Sequence, residues 1–528
     1  MKIKKILGLT LALGVALIVG FKADPANAID ATVGNADDFM NAIAEADAGP
    51  DDDTITLSND IALTGSDYIT IMSEYSLTID LNGYTLTKPD KFFSIDGGHL
   101  VLTGRGSLVE TAPDDSVIQL KGSDSSEAQN YSSLVVDDGV TLQGWAGVKV
   151  SSKTDPSCSG DHCGVAYGVN ITINGTIIGL NDQEGNTGAG VYTNGTIHNI
   201  ENPITIAIGE TANISATGVP IFAEGYADWT IDSGAIITGV ESAIGMKAGK
   251  WTINGGTFKA TGPKAGSVCS LTGIEATGAA IQVESDMPAY TGNIDLTISG
   301  GTFTSDNGYA IFGYGCEGTA MTNVLISGGT FTSAKGLDAI VTTEDFLEQF
   351  SEGFITGGTF SSDVSKFIKA TPIDSDVKTE GGELLLVKST VLSENLRSLV
   401  PVWFADIEDS AILITANGHG TGTVNLANLE AGKKYYAYHY DDEGYVTLLK
   451  EFIADAEGNY ELKDVKFSGI VISTTKLNLA SDPILDAPAT GLFGSMAVES
   501  KILISAIIAL GAIIGAVVLV RKKTAKRM

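Results

Sequence analysis

The sequence predicts an all-β protein, a right-handed parallel β-helix followed by a small β-sandwich, from three observations. First, the hexapeptide Ile253-Asn-Gly-Gly-Thr-Phe258 returns as Ile298-Ser-Gly-Gly-Thr-Phe303, Ile326-Ser-Gly-Gly-Thr-Phe331 and Ile355-Thr-Gly-Gly-Thr-Phe360. Degenerate copies, Val136-Asp-Asp-Gly-Val-Thr141 and Ile231-Asp-Ser-Gly-Ala-Ile236, precede them, and Ile231 stands 22 residues before Ile253. A unit of about 20–30 residues repeated along a chain builds stacked coils rather than a closed globule. Second, apolar and polar residues alternate in runs such as Leu77-Thr-Ile-Asp-Leu81 and Val169-Asn-Ile-Thr-Ile173, with Asn-Gly turns after them. Third, no amphipathic helical period separates these runs, which excludes a doubly wound sheet.

Within one coil, Ile and Phe of the hexapeptide are expected to face inward and the residues between them outward. The glycine pair lets the strand bend into the next face. Equal side chains then stack coil on coil, each buried one contributing roughly 1.5–3 kcal/mol.

Taken in order, residues 1–28 read as a signal peptide: Lys2, Lys4 and Lys5, an apolar run from Ile6 to Val19, and Ala26-Asn27-Ala28 as an A-x-A cleavage site. Residues 29–50 are expected to cap the first coil. Asn35 would begin a helix over Ala36–Asp47, with Phe39, Ile43 and Ala46 on one face. The β-helix is expected over 51–387, its first strand being Thr54-Ile-Thr-Leu57. In 388–478 the glycine pairs stop and tyrosines gather at Tyr435-Tyr-Ala-Tyr-His-Tyr440, with short strands and frequent turns, the pattern of a β-sandwich. Residues 479–501 form a linker carrying Pro488-Ala489-Thr490-Gly491. A run of 19 apolar or small residues, 502–520, is long enough at about 1.5 Å per residue to cross a bilayer as a transmembrane helix. The basic residues of 521–528 place that tail in the cytoplasm and everything before the span outside.

The Leu81-Asn-Gly-Tyr84 run, the Gly-Gly-Thr-Phe copies and Phe360-Ser-Ser-Asp-Val-Ser-Lys-Phe367 resemble bacterial surface proteins of the pectate-lyase-like β-helix superfamily. The resemblance covers roughly 35–387 and implies fold and export. It says little about chemistry, because that fold hosts lyases, hydrolases, adhesins and inert stalks. Residues 388–478 are similar to the accessory β domains that follow such helices. Pro488-Ala489-Thr490-Gly491 before an apolar span and a basic tail resembles a sortase sorting signal, with Ala487 where that family usually has Leu. The resemblance implies cleavage between Thr490 and Gly491 by a sortase-type transpeptidase and attachment to the cell wall.

Charge excludes one class of partner. Residues 1–28 hold four basic and one acidic residue and residues 492–528 six and one, which leaves 22 basic and 62 acidic residues between them, a net charge of −40. Nucleic-acid binding is not expected. No cofactor is expected beyond weak collection of Ca²⁺ by this charge.

Cys158, Cys163, Cys269 and Cys316 are an even set in an exported chain and are disulfide candidates; no metal site is expected. A pectate-type lyase needs a basic residue, and Arg105, in a Thr-Gly-Arg-Gly turn, is the sole arginine between 29 and 387. A hydrolase needs two placed carboxylates; Asp137 and Asp138 are adjacent and precede Gly139 in a turn. Asn417-Gly-His-Gly420 is similar to the Gly-His-Gly of polygalacturonases but lies outside the coils. His99, His198 and His439 bring no matching partners. Trp145, Trp229 and Trp251 are either platforms for sugar rings or packed. The outward column Asn254, Ser299, Ser327 and Thr356 is either a ladder for sugar hydroxyls or a solvated face. The expected function is that of a cell-surface adhesin or stalk contacting glycans or other cells, with no catalytic residue, and with loops 151–168 and 262–292 carrying specificity. The alternative is an extracellular polysaccharide lyase or glycoside hydrolase acting on uronic-acid glycans.

Overall fold

The computed structural model describes residues 28–46, 52–73, 75–154, 163–264, 277–285, 293–315, 323–348, 353–369, 371–382, 384–392, 396–397, 400–405, 407–408 and 410–479. Residues 1–27 of the expected signal peptide, Cys158, His162, Cys269, Cys316, Pro488, Ala489, Thr490, Gly491 and the apolar run 502–520 lie outside them. Among the described residues no helix is long and apolar enough to cross a membrane.

The chain divides near residue 240 into two compact units. In the first, each coil visits three parallel sheets in turn, as in Ser76–Asp80, Thr85–Lys88 and Phe93–Asp96, before the next coil begins at His99–Thr103. Alternation sets which side chains face in. In the first sheet Leu77, Leu100, Leu134, Ile171 and Ile206 stand in one register column, and all are buried. In the second sheet Leu86, Leu108, Leu142, Ile177, Ile214 and Ile237 do the same. Parallel strands stacked in this way need a full turn of chain between neighbours, which the coil supplies.

The cap differs from expectation in one respect. A strand, Asp30–Val33, precedes the helix and pairs in parallel with Asp52–Leu57, so the helix Ala36–Ala46 is the crossover between them. Asn35 Oδ1 accepts the Asp38 N–H at 3.0 Å, the N-cap bond expected of it. Phe39, Ala42 and Ala46 are buried, while Ile43 is half-buried, because the buried stripe is turned one residue from the sequence reading.

The second unit is built of the same kind of three-sheet coil, and here the hexapeptide shows how it works. Phe258, Phe303, Phe331 and Phe360 stack face to face, with centroids 4.6, 4.7 and 4.8 Å apart. Ile253, Ile298, Ile326 and Ile355 form the parallel column. The two glycines do different things. The first runs so close to the coil before it that a Cβ at Gly328 would lie 2.3 Å from the Ser299 carbonyl oxygen. The second adopts positive φ, +106° at Gly329, and a Cβ there would press on the Phe331 ring at 3.2 Å.

Residues 371–473 form one six-stranded antiparallel sheet, not a two-sheet sandwich. The order is Thr371–Pro372, Val387–Val391, Ile412–Leu426, Tyr460–Ser473, Lys434–Tyr440, Val446–Ile453. Two long strands replace the several short ones expected. They pair through register breaks at Thr415/Gly420 and Gly422/Val424, and such breaks bend a strand without ending it. A single buried cluster includes Val377, Val424, Phe452, Phe467 and Ile470. The sheet also takes in residues 371–387, which the repeat pattern had assigned to the coils.

Candidate functional site

The outward face of the third sheet in the first unit gathers the chemistry that the repeat motif lacks. Thr70, Ser94, Gln119, Lys149, Tyr192 and Phe222 occupy one register column. At about 4.8 Å per strand this column spans about 24 Å. Beside it run Met72, Asp96, Lys121 and Ser151. Strand alternation places these residues outward because Ile71, Ile95, Leu120 and Val150 take the inward positions.

Asp96 is the centre of this face. Its Oδ1 receives Lys153 Nζ at 3.0 Å and the Tyr131 hydroxyl at 3.0 Å, and Lys121 Nζ lies 3.7 Å from Oδ2. Lys153 also sits 5.0 Å from the Tyr131 ring centroid. Burial alone would raise the Asp96 carboxyl, but the hydrogen bonds from Lys153 and Tyr131 outweigh it and hold it below its ordinary value. The Lys153 ammonium is partly desolvated, yet Asp96 and Tyr131 hold it above its ordinary value. Gln119 links neighbouring coils, donating to Ser151 Oγ at 3.0 Å and accepting from Ser94 Oγ at 3.4 Å. Lys149 pairs with Asp115 at 3.0 Å, and the Tyr68 and Ser116 hydroxyls are 2.8 Å apart. Tyr192 packs 5.3 Å from Phe222 and donates to Glu224 at 3.3 Å.

Two buried side chains on neighbouring strands of the second sheet, Lys88 and Glu110, tie down the corner loops. Lys88 Nζ donates to the carbonyls of Asp67, Asp90 and Lys91 at 2.7–2.8 Å. Glu110, its register neighbour, accepts the backbone N–H of Lys91 at 3.0 Å and of Trp145 at 3.3 Å. Burial pushes the Glu110 carboxyl up to about 8, the two N–H bonds offset part of that, and Asp90 adds to it. Burial also lowers Lys88, against the pull of Asp90, Asp67 and Glu110. These bonds hold Trp145 at the corner, half-buried, its indole N–H donating to the Thr187 carbonyl at 3.1 Å.

In the second unit the corresponding face is closed. Lys247 and Glu284 pair at 3.4 Å with side chains 0% and 1% exposed, and Tyr314 donates to Glu284 at 2.7 Å. Gln282 donates to the Tyr314 hydroxyl at 3.0 Å and accepts from Thr277 at 2.7 Å. Phe346, on the short helix Glu344–Glu348, is buried against Gly313, where no Cβ would fit.

The residues singled out from sequence do not come together. Arg105 is exposed at a turn with φ +51°, and Asp137 and Asp138 form the turn before Gly139. His419 is exposed, 3.5 Å from Asp442 on the antiparallel sheet. His99 bonds Ser133 Oγ at 2.8 Å and His439 bonds Ser468 Oγ at 2.9 Å; His198 donates its backbone N–H to the Gly164 carbonyl. Trp229 and Trp251 are buried and cannot stack on a ligand. Cys163 is buried and disulfide-bonded. In the outward ladder the hydroxyls of Ser299, Ser327 and Thr356 each donate to the carbonyl of the coil before at 3.3 Å, and Asn254 donates to Asp232 at 3.4 Å, so these donors serve the stack. Among the described residues no group of three His, Cys, Asp or Glu side chains could hold a metal ion. Sequence reading missed the third sheet because the hexapeptide spans only the first two. The usable signal was Ser94-x-Asp96, Gln119-x-Lys121 and Lys149-x-Ser151, polar side chains alternating with apolar ones at coil spacing.

No family model matches the chain, and no curated protein matches it. One solved structure, the crystal structure of the Dettilon tailspike protein (gp208), aligns with 82% of this chain and 90% of its own length at 12% identity and a TM-score of 0.23. At that score it carries no inference, and the assignment of a parallel β-helix rests on the strand register described above.

Proposed function

We propose that this chain is an exported β-helix protein, held at the cell surface through its C-terminus, that binds carbohydrate on the outer face of the third sheet of its first unit. One observation carries the reading. Lys121, Lys149 and Lys153 gather with Asp96, Gln119, Tyr131 and Tyr192 on one outward strip, in a region whose net charge is −40. A strip of fixed donors, acceptors and ring faces suits sugar hydroxyls and apolar ring faces together. Display is supported by the leader, by Pro488-Ala489-Thr490-Gly491 as a sortase-type signal, and by the apolar span with its basic tail.

The alternative, a polysaccharide lyase or glycoside hydrolase acting on uronic-acid glycans, has one observation in its favour: an acid, two lysines and a tyrosine converge at Asp96. A general base takes a proton from the substrate and works best when its own pKa lies near working pH. Lys153 is held charged and Asp96 ionised, both moved away from neutrality, which favours binding over catalysis. Exposure of the chain to a glycan array and to uronic-acid polymers separates the two. Binding without cleavage, lost in Tyr131→Ala and Lys121→Ala, is the expected result. Chain cleavage abolished by the same changes would establish the alternative, and binding unaffected by them would remove this face from consideration. Release of the protein by cell-wall digestion but not by detergent is the expected result for a sortase-type attachment.

A further inference from the structure

The first inward position of the first sheet breaks the pattern of its column. Leu77, Leu100 and Leu134 occupy the later coils, but the place before Leu77 is taken by Asp53, whose side chain is likewise turned in and 5% exposed. Ile43 and Ala46 of the cap helix line the space beside it with Thr70, Ile71, Tyr75, Ser76 and Leu77. A carboxylate buried to this extent requires donors. One donor is the backbone nitrogen of Ile29, 2.7 Å from Asp53 Oδ1, and Ile29 is held in place by its own carbonyl, which accepts the Thr54 N–H at 2.8 Å. Ile29 is the residue that follows Ala26-Asn27-Ala28, and Ala28 is exposed.

These two facts combine. Hydrolysis after Ala28 adds water across the Ala28–Ile29 peptide bond, leaves a carboxylate on Ala28 and turns the Ile29 nitrogen from an amide into an ammonium at neutral pH. We propose that removal of the leader converts the Ile29–Asp53 hydrogen bond into a half-buried ammonium–carboxylate pair that locks the first strand onto the coil stack. The proposal rests on the export reading above. A charge-assisted bond is stronger than the neutral one it replaces. Processing therefore tightens the hold of the edge strand Asp30–Val33 on Asp52–Leu57. The uncleaved chain has the same bond in its weaker form, so the cap tightens only after export. The pair uses atoms already in contact, and no movement of the coils is required.

The test compares chains 29–528 beginning exactly at Ile29 with the same chains retaining Asn27-Ala28, each with Asp53 and with Asp53→Asn. The Ile29 terminus is expected to melt about 2–4 °C above the extended form, and the gap is expected to close in D53N. A gap of zero, or one of equal size in D53N, overturns the pairing. A second measurement needs no variant at Asp53. Because acylation requires the free amine, the Ile29 α-amine should react about tenfold more slowly in the folded chain than the Asn27 α-amine of the extended one. Equal rates overturn the pairing as well. The intact mass of the exported chain tests the premise separately: a terminus other than Ile29 overturns the proposal at the processing step, whatever the melting experiments show.

Discussion

Phe303 and Phe331 lie one coil apart with ring centroids 4.7 Å apart and planes 4° from parallel, and both are fully buried. The centroid spacing matches the spacing of neighbouring strands, so the stack itself sets it. Phe331 touches a ring on each side, Phe303 and Phe360. Phe331→Ala therefore removes two stacking contacts and leaves a cavity, and should cost about 3–5 kcal/mol, read as a lower midpoint in denaturant. A loss under about 1 kcal/mol would mean that the column is not a main support of the coils.

Gly329 and Gly336 both adopt positive φ, +106° and +83°. They differ in surroundings: a Cβ at Gly329 meets the Phe331 ring and the Gly301 carbonyl at 3.2 Å, while one at Gly336 meets nothing within 4 Å. Gly336→Ala should cost about 1 kcal/mol for backbone strain alone. Gly329→Ala should cost clearly more, because either the ring stack or the strand bend must shift. Equal melting temperatures for the two variants would show that the close packing of the repeat has slack.

Glu110 predicts a pH dependence of stability. Its carboxyl titrates near 8 in the folded chain and at an ordinary carboxylate value when unfolded. Between those values the folded state holds the extra proton, so stability falls as pH rises through the window. Glu110→Gln abolishes this fall and should gain on the parent chain between pH 5 and pH 8, by an amount on the order of a few kcal/mol. Parallel stability curves for the two proteins over that range would contradict the assignment.

Asp96 has the opposite sign. Its folded value lies below the ordinary one, so its contribution is present above the ordinary carboxylate value and is lost as pH falls through the folded value. Asp96→Asn should lower the melting temperature at pH 7, and that difference should vanish well below pH 4. The pair is partly exposed, so the effect is modest and shrinks in salt. A difference unchanged at low pH would point to packing rather than charge.

Lys121 and Tyr131 can be separated from folding by their position on the outward face. Tyr131→Phe removes one bond to Asp96 and keeps the ring beneath Lys153. Melting should change by less than about 1 kcal/mol equivalent, while retention on immobilised glycan should fall measurably. Loss of folding in parallel with binding would assign the tyrosine a structural part only.

The coil and its columns were legible from the sequence because a repeat carries its own register: identical residues at coil spacing must stack, as Ile253, Ile298, Ile326 and Ile355 do. The helix cap at Asn35 was legible for the same kind of reason, since the bond it makes spans three residues. The face around Asp96 was not. Its members come from positions as far apart as Asp96 and Lys153, and only the number of residues in each intervening turn decides that they meet at 3.0 Å. The antiparallel sheet was read as a sandwich because strand breaks look like strand ends until pairing shows that Ile412–Leu426 continues through them. The Ala26-Asn27-Ala28 motif was legible in the chain, but the bond from Ile29 to Asp53 was not, because it depends on Asp30–Val33 pairing with a strand on the far side of a helix. Local chemistry and periodicity are properties of neighbours along the chain and can be read there. Charges and hydrogen bonds between distant residues depend on loop lengths and burial, and those were decided only when the coils closed.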